Sequence, residues 1–295
     1  MKYDSVQALV NKAVKSDKKI YELIIEEQSE QLERPAENLL QEMMEKLEVM
    51  EEAVRKGTQS TAKSTSGLSG GDAYRLKQAM DAGITVGGKI LNKALVKALA
   101  VSEVNACMGK IVAAPTAGSC GIIPAALLTV QEERQIPRLK VGKSLFTAAG
   151  IGMVIAKRAS ISGAEGGCQA ECGSASAMAA AALVEMVGGT PQMSAHACAI
   201  ALKNVLGLIC DPVAGLVEVP CVKRNAMGAA NALVAADLAL AGIESVIPVD
   251  EVIDAMKSVG NLMVPALKET AEGGIASTPT GCMLAEKIFG KQAGI

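Results

Sequence analysis

GSASAMAAAALVEMV spans residues 173–187, and its single charged residue is Glu185. Alanine has the highest helix propensity, so this run reads as a helix. A helix without a polar face must be buried on every side. Three further stretches, 144–156, 195–209 and 225–242, are nearly uncharged in the same way. Strand-like alternation is scarce throughout. The expected fold is therefore all-α, with Ala-rich helices inside and polar helices outside.

The composition agrees. Half of the 295 residues are hydrophobic, yet there are two Phe, three Tyr and no Trp. The core must come from Ala, Leu, Ile, Val and Met, which suits closely packed helices better than a β-sandwich. The formal net charge is −2 and no basic block exists, which argues against nucleic-acid binding. The N-terminus shows no signal-peptide core. The longest uncharged run, 111–131, is broken by Pro115, Gly118, Gly121 and Pro124, against a plain membrane span. A cytoplasmic location follows as the expectation, with reduced thiols.

Toward the N-terminus, Val6, Leu9, Val10, Ala13 and Val14 repeat at helical spacing. Ser16 or Asp17 is expected to cap a second helix with Ile20, Leu23 and Ile24. Pro35 opens a long helix carrying Leu39, Leu40, Met43, Leu47 and Met50, and Gly57 is expected to end it. Residues 1–57 thus read as an N-terminal amphipathic helical segment, and 58–295 as one domain. Its apolar stripe must pack on this chain or another. Beyond Thr58 the chain turns rich in Ser, Thr and Gly. Asp72 is the expected cap of the next helix, and another follows Gly88. Lys140–Lys143, Glu165–Gly167 and Gly188–Pro191 read as connections.

Eight cysteines are the chemical anomaly. Cys168, Cys210 and Cys221 lie at loop–helix junctions beside Gly or Pro. Core packing, a zinc site and an iron–sulfur cluster all remain open for them on spacing alone. Cys107, Cys120, Cys172 and Cys198 sit among Ala and Met and read as small buried hydrophobes. Two loops, 64–72 (STSGLSGGD) and 114–121 (APTAGSCG), offer hydroxyls and N–H groups before helices, an arrangement for a carboxylate or phosphate. Neither matches a nucleotide-binding pattern. His196, the single histidine, lies in an Ala-rich helix and reads as a packed or surface residue more readily than a base.

The segments SGLSGGDAYRLK, APTAGSCGIIPAALL, SGAEGGCQAECGSASAM and LGLICDPVAGLVEVPCVKRNAMGAANA carry a resemblance. The chain resembles the α subunit of the bacterial iron–sulfur-dependent L-serine dehydratases (L-serine ammonia-lyases) over essentially its whole length. The resemblance implies a helical catalytic domain holding a [4Fe–4S] cluster through Cys168, Cys210 and Cys221, with one iron open to substrate. It implies conversion of L-serine to pyruvate and ammonia in amino-acid degradation feeding gluconeogenesis, without pyridoxal phosphate. It also implies a β subunit and an oligomer. The base is not named by this chain, and the β part of the family carries histidines that serve as candidates. The apolar stripe of the first helices is a candidate dock for β.

Ser66, Gly67, Thr116 and Ser119 are the candidates for gripping the substrate carboxylate. Lys223, Arg224 and Asn225, directly after Cys221, are candidates for holding substrate or tuning the charge of a cluster. Cys282 lies where single-chain relatives place a cysteine that occupies the open iron, although 13 residues follow it here. Cys172 departs from the family pattern and stays outside the ligand set. The alternatives are an L-cysteine desulfidase and a non-catalytic iron–sulfur sensor.

Overall fold

The structure is a computed structural model and describes residues 2–290. Among those residues there are thirteen α-helices and no strand. In order they are α1 (Val6–Ser16), α2 (Ile20–Leu32), α3 (Ala36–Gln59), α4 (Asp72–Asp81), α5 (Gly88–Ala106), α6 (Ile122–Arg134), α7 (Arg138–Arg158), α8 (Gly163–Gly166), α9 (Ser174–Met186), α10 (Pro191–Lys203), α11 (Cys221–Leu240), α12 (Val249–Leu262) and α13 (Pro279–Phe289).

The central element is α9, the Ala-rich run, in which every residue from Ser174 to Met186 is buried. It packs against α6, α7, α10 and α11. Small residues permit the close approach. A Cβ added at Gly152 of α7 would stand 2.7 Å from the Met178 methyl, and one at Gly228 of α11 would stand 2.4 Å from Ile122 Cδ1. Contacts this tight recover the dispersion energy that a core poor in aromatics would otherwise lack.

The amphipathic stripe of α1–α3 is covered by its own chain. Val6, Leu9, Ile20, Ile24, Leu47 and Met50 join one buried cluster with Ile122, Phe146, Val154 and Ile253. It is therefore not free to dock a β subunit, as the sequence had allowed. Helix α7 is long and apolar enough to cross a membrane, but 67% of its most apolar window is buried within this fold.

Several helix boundaries differ from expectation, and the reasons are tertiary. Gly57 does not end α3, which runs to Gln59. Instead it lets α5 approach, since a Cβ there would lie 2.1 Å from the Ala100 carbonyl oxygen. Lys140–Lys143 lies inside α7, which starts after Pro137, and the Glu165–Gly167 connection overlaps the short α8. Asp17 closes α1 in a left-handed conformation instead of capping α2. The start of α2 is capped by Glu185 of α9, which accepts from the amides of Ile20 at 2.6 Å and Tyr21 at 3.3 Å. Asp72 is the first residue of α4, not its cap, and its own carboxylate pairs with Arg75 and Lys223. Glu103 of α5 caps α4 by accepting from the Asp72 amide at 2.6 Å. Asp250 of α12 likewise accepts from the Val6 amide of α1 at 2.9 Å. A carboxylate at a helix N-terminus meets both the unpaired amides and the positive end of the dipole.

Candidate metal centre

The chain between α8 and α9 is a single π-helical turn, Gln169–Gly173, with Cys168 immediately before it. Such turns are rare and collect at functional sites. Gln169 fixes it. Its side-chain amide donates to the carbonyls of Gly166 (2.9 Å) and Met256 (3.0 Å), and its carbonyl accepts from the Gly207 amide at 3.0 Å. Cys168 and Cys172, four positions apart, share one face of the turn, and their sulfurs lie 3.5 Å apart.

Cys210 arrives from the other side. Its amide donates to the Leu267 carbonyl at 2.9 Å and its carbonyl accepts from the Glu269 amide at 2.7 Å. This parallel bridge to residues 267–269 sets the sulfur over α8. Gly163 leaves the room, since a Cβ there would stand 2.9 Å from Cys210 Sγ and 3.2 Å from Glu269 Oε2. Eleven positions later Cys221 opens α11, after a cis Val219–Pro220 bond. The loop between the two cysteines is closed by the Val213 amide donating to the Val219 carbonyl at 2.8 Å.

Cys168 Sγ, Cys210 Sγ and a carboxylate oxygen of Glu171 lie within 4.8 Å of one another, and all three residues are buried. Cys221 is buried beside this group, close enough for the charge of Cys168 to act on it. All eight cysteines are free. The Cys168 thiol is held far below its ordinary range by hydrogen bonds from Cys172 and Cys210, assisted by the positive charge of Arg224. Cys210 is pushed up because it donates to Cys168, and burial pushes Cys221 up to about 12. Burial also raises Glu171 to about 7, against a hydrogen bond from Thr116 that acts in the opposite sense. One thiolate therefore sits among protonated thiols and a carboxyl poised near neutrality. Such a set releases protons when a cation takes their place.

Arg224, one turn into α11, binds both neighbours of Cys210. Its guanidinium donates to the Ile209 carbonyl and to Asp211 Oδ1, each at 2.8 Å. The 114–121 loop borders the same place. Thr116 donates to Glu171, and its hydroxyl pairs with that of Ser119 at 3.1 Å. A Cβ at Gly118 would meet the Glu171 carboxylate at 2.6 Å. Asn225 is fully engaged in building this corner. It accepts from the Gly121 amide at 2.9 Å and donates to the carbonyls of Gly118 (2.6 Å) and Cys221 (2.9 Å).

The other sequence candidates lie as follows. Ser66 donates to Glu218 of the Cys210–Cys221 loop at 2.8 Å, and Gly67 holds the adjoining left-handed turn. Lys223 faces outward to Asp72. His196 accepts from the Ser245 amide at 3.2 Å, a link to the loop before α12. Cys282 is exposed on α13, its sulfur 3.9 Å from the Ala276 carbonyl and outside the tight donor group. Sequence reading missed Glu171 and Glu269. Glu171 left a signal, being the one charge between Glu165 and Glu185. Glu269 left none, because it is one of several charged and hydroxyl residues in the run Lys268–Glu272.

Fold and site together define a class: an all-α protein with a buried cysteine–carboxylate donor group able to hold a metal. The comparisons with known proteins sharpen this. Residues 15–276 match the family model for the serine dehydratase alpha chain, and the chain belongs to that family. It is 56% identical over 275 residues to the probable L-serine dehydratase, alpha chain, of Bacillus subtilis (strain 168), covering 93% of this chain and 91% of that protein. It is 49% identical over 263 residues to the L-serine dehydratase, alpha chain, of Peptoniphilus asaccharolyticus, covering 89% and 90%. The L-serine dehydratase of Mycobacterium tuberculosis (strain CDC 1551 / Oshkosh) is 49% identical over 185 residues, 61% of this chain and 40% of that longer protein. These relatives support a lyase of the dehydratase type.

Proposed function

We propose that this chain is the catalytic α subunit of an iron–sulfur-dependent L-serine ammonia-lyase, acting with a β subunit in the cytoplasm to make pyruvate and ammonia. The observation that carries the reading is the buried meeting of Cys168 and Cys210 with Glu171, and Cys221 buried and free at the start of α11, in a serine dehydratase alpha chain family member. The donor chemistry suits a cluster: soft sulfur ligands are presented at element starts, and Gly163 lets the Cys210 sulfur come in against α8. Bound there, a [4Fe–4S] cluster supplies an iron with an open position, a Lewis acid for the hydroxyl of serine.

The rest belongs to the chain. Arg224 places positive charge beside Cys168 and favours its thiolate. Thr116 and Ser119 offer hydroxyls to the substrate carboxylate, whereas the Ser66 hydroxyl beside Gly67 is already engaged by Glu218. Asn225 holds the 118–121 turn in place. Glu171 can hold or release a proton at its second oxygen near neutral pH, the first being bound to Thr116. The group that removes the α-proton we assign to the β subunit. Loss of that proton and of the hydroxyl gives aminoacrylate, which tautomerises and hydrolyses to pyruvate and ammonia. This chemistry asks nothing of pyridoxal phosphate.

The test is anaerobic reconstitution with iron and sulfide, then assay of L-serine with the β chain. Four irons per chain (~4) and pyruvate release are expected. Cys168→Ala, Cys210→Ala and Cys221→Ala should each lose iron and activity, whereas Cys282→Ser should keep its iron. Sulfide release from L-cysteine without pyruvate from serine would favour a desulfidase. A full cluster without turnover of either would favour a sensor. A folded chain that takes up no iron would overturn the proposal.

A further inference from the structure

The loop joining Cys210 to Cys221 carries a second buried carboxylate besides Asp211. Glu218 is 7% exposed and stands three positions before Cys221. Three hydroxyls of the 64–69 loop converge on it. Ser64 donates to Oε2 at 2.6 Å, Ser66 to Oε1 at 2.8 Å, and Ser69 to Oε2. That loop is itself closed around the carboxylate. The Ser64 amide donates to the Ser69 carbonyl at 3.1 Å, and the Leu68 amide to Ser66 Oγ at 3.0 Å. The backbone of Glu218 is engaged as well. Its carbonyl accepts from the Val222 amide at 2.9 Å, in the first turn of α11, and its amide donates to the Leu216 carbonyl at 2.7 Å.

A loop tethered only at two thiols would sample many arrangements, and ordering it on metal uptake would cost conformational entropy. The three-hydroxyl grip settles that order beforehand at the residue that leads into Cys221. We infer that Glu218 is a positioning residue for the metal centre: gripped by Ser64, Ser66 and Ser69, it holds Cys221 in place before any metal arrives. The clamp also makes the loop carrying Ser66 and Gly67 one mechanical unit with the cysteine loop. The inference rests on the proposed role of Cys221 as a ligand, and its first test is independent of any cluster.

In cluster-free protein under native conditions, alkylation by iodoacetamide is followed for each cysteine by peptide mass mapping. Glu218→Ala should label Cys221 about ten-fold faster or more than wild type, the effect of losing several hydrogen bonds to a charged group. Cys198, buried away from the site in α10, should keep its slow rate. Glu218→Gln should stay within about three-fold of wild type, because an amide still accepts from one hydroxyl and donates to another. Ser64→Ala with Ser69→Ala should fall between them, and this pair decides the matter if Glu218→Ala exposes Cys198 by unfolding. After reconstitution, Glu218→Ala should hold less iron and bleach faster in air, with Glu218→Gln rescuing both. Equal Cys221 labelling in wild type and the folded clamp variants would overturn the inference, as would equal behaviour of Glu218→Ala and Glu218→Gln. A wild-type chain that takes no iron sinks the proposed function, while the alkylation rates still judge the clamp.

Discussion

Replacing Arg224 by Met is the perturbation whose size can be worked out most directly. The guanidinium binds the Ile209 carbonyl and Asp211 Oδ1, each at 2.8 Å, and the side chains of the pair are 16% and 3% exposed. Methionine fills similar volume along the stem but makes neither bond. Asp211 then keeps the Ile275 amide at 2.9 Å as its remaining partner. Two hydrogen bonds involving charge are worth about 1.5–3 kcal/mol each. Independently, breaking a buried ion pair from one side costs about 3–5 kcal/mol. The two routes agree on a loss of about 3–5 kcal/mol, a large share of the about 5–15 kcal/mol that a native protein has. With a urea slope of about 3 kcal/mol/M, the unfolding midpoint of the cluster-free chain should fall by about 1 M or more. Arg224→Lys should lose roughly half as much, since it keeps the charge but not the fork. Arg224→Met combined with Asp211→Leu should lose less than the two singles added. A midpoint change under about 0.3 M, or strict additivity in the double variant, would refute the reasoning.

Two further outcomes follow from the packing and the charges. Gly57→Ala gains about 1 kcal/mol of helix propensity, yet its Cβ would stand 2.1 Å from the Ala100 carbonyl oxygen. Forcing α3 and α5 apart costs about 1–3 kcal/mol, so thermal melting should fall; a rise would show that the two helices separate freely. Glu171 titrates at about 7 in the folded chain against 4.5 ordinarily, through burial. The folded state therefore binds this proton more tightly than the unfolded one. The associated stability is complete below about pH 4.5 and lost as pH rises through 7, about 3 kcal/mol in all at 1.4 kcal/mol per unit. Cluster-free Glu171→Gln should thus gain on wild type between urea midpoints taken at pH 5 and pH 8; parallel curves would show that the carboxyl is not so raised.

The legibility of this molecule in its sequence varied with the range of the interaction concerned. The Ala-rich run at 173–187 announced α9 and its burial because propensity and hydrophobicity are local properties. The caps on α2 and α4 stayed hidden because Glu185 and Glu103 belong to other helices. Gly57 carried the composition of a helix end, and only the neighbouring Ala100 shows why it lies within one. At the candidate centre, the structure brings together two of the cysteines beside Gly and Pro, Cys168 and Cys210. The spacing of four puts Cys168 and Cys172 on one helix face, while the π-helical form of the turn has no compositional mark. The hydroxyl-rich 64–72 loop read as a carboxylate receptor, and the carboxylate that the structure places in it is that of Glu218. Which carboxylate a loop meets is decided by the fold around it.

The borrowed caps also bear on the order in which the chain can become itself during synthesis. Ile20 is capped by a residue 165 positions further on, and Val6 by one 244 positions further on. At about 5–20 residues per second, α2 leaves the ribosome on the order of 10–30 s before Glu185 does. Through that interval its first turn has no partner but water, and its apolar side faces whatever is nearby. The N-terminal helices should therefore be protected from proteases and hydrogen exchange only once α9 and α12 have emerged, so that the first part of the chain made is among the last to settle.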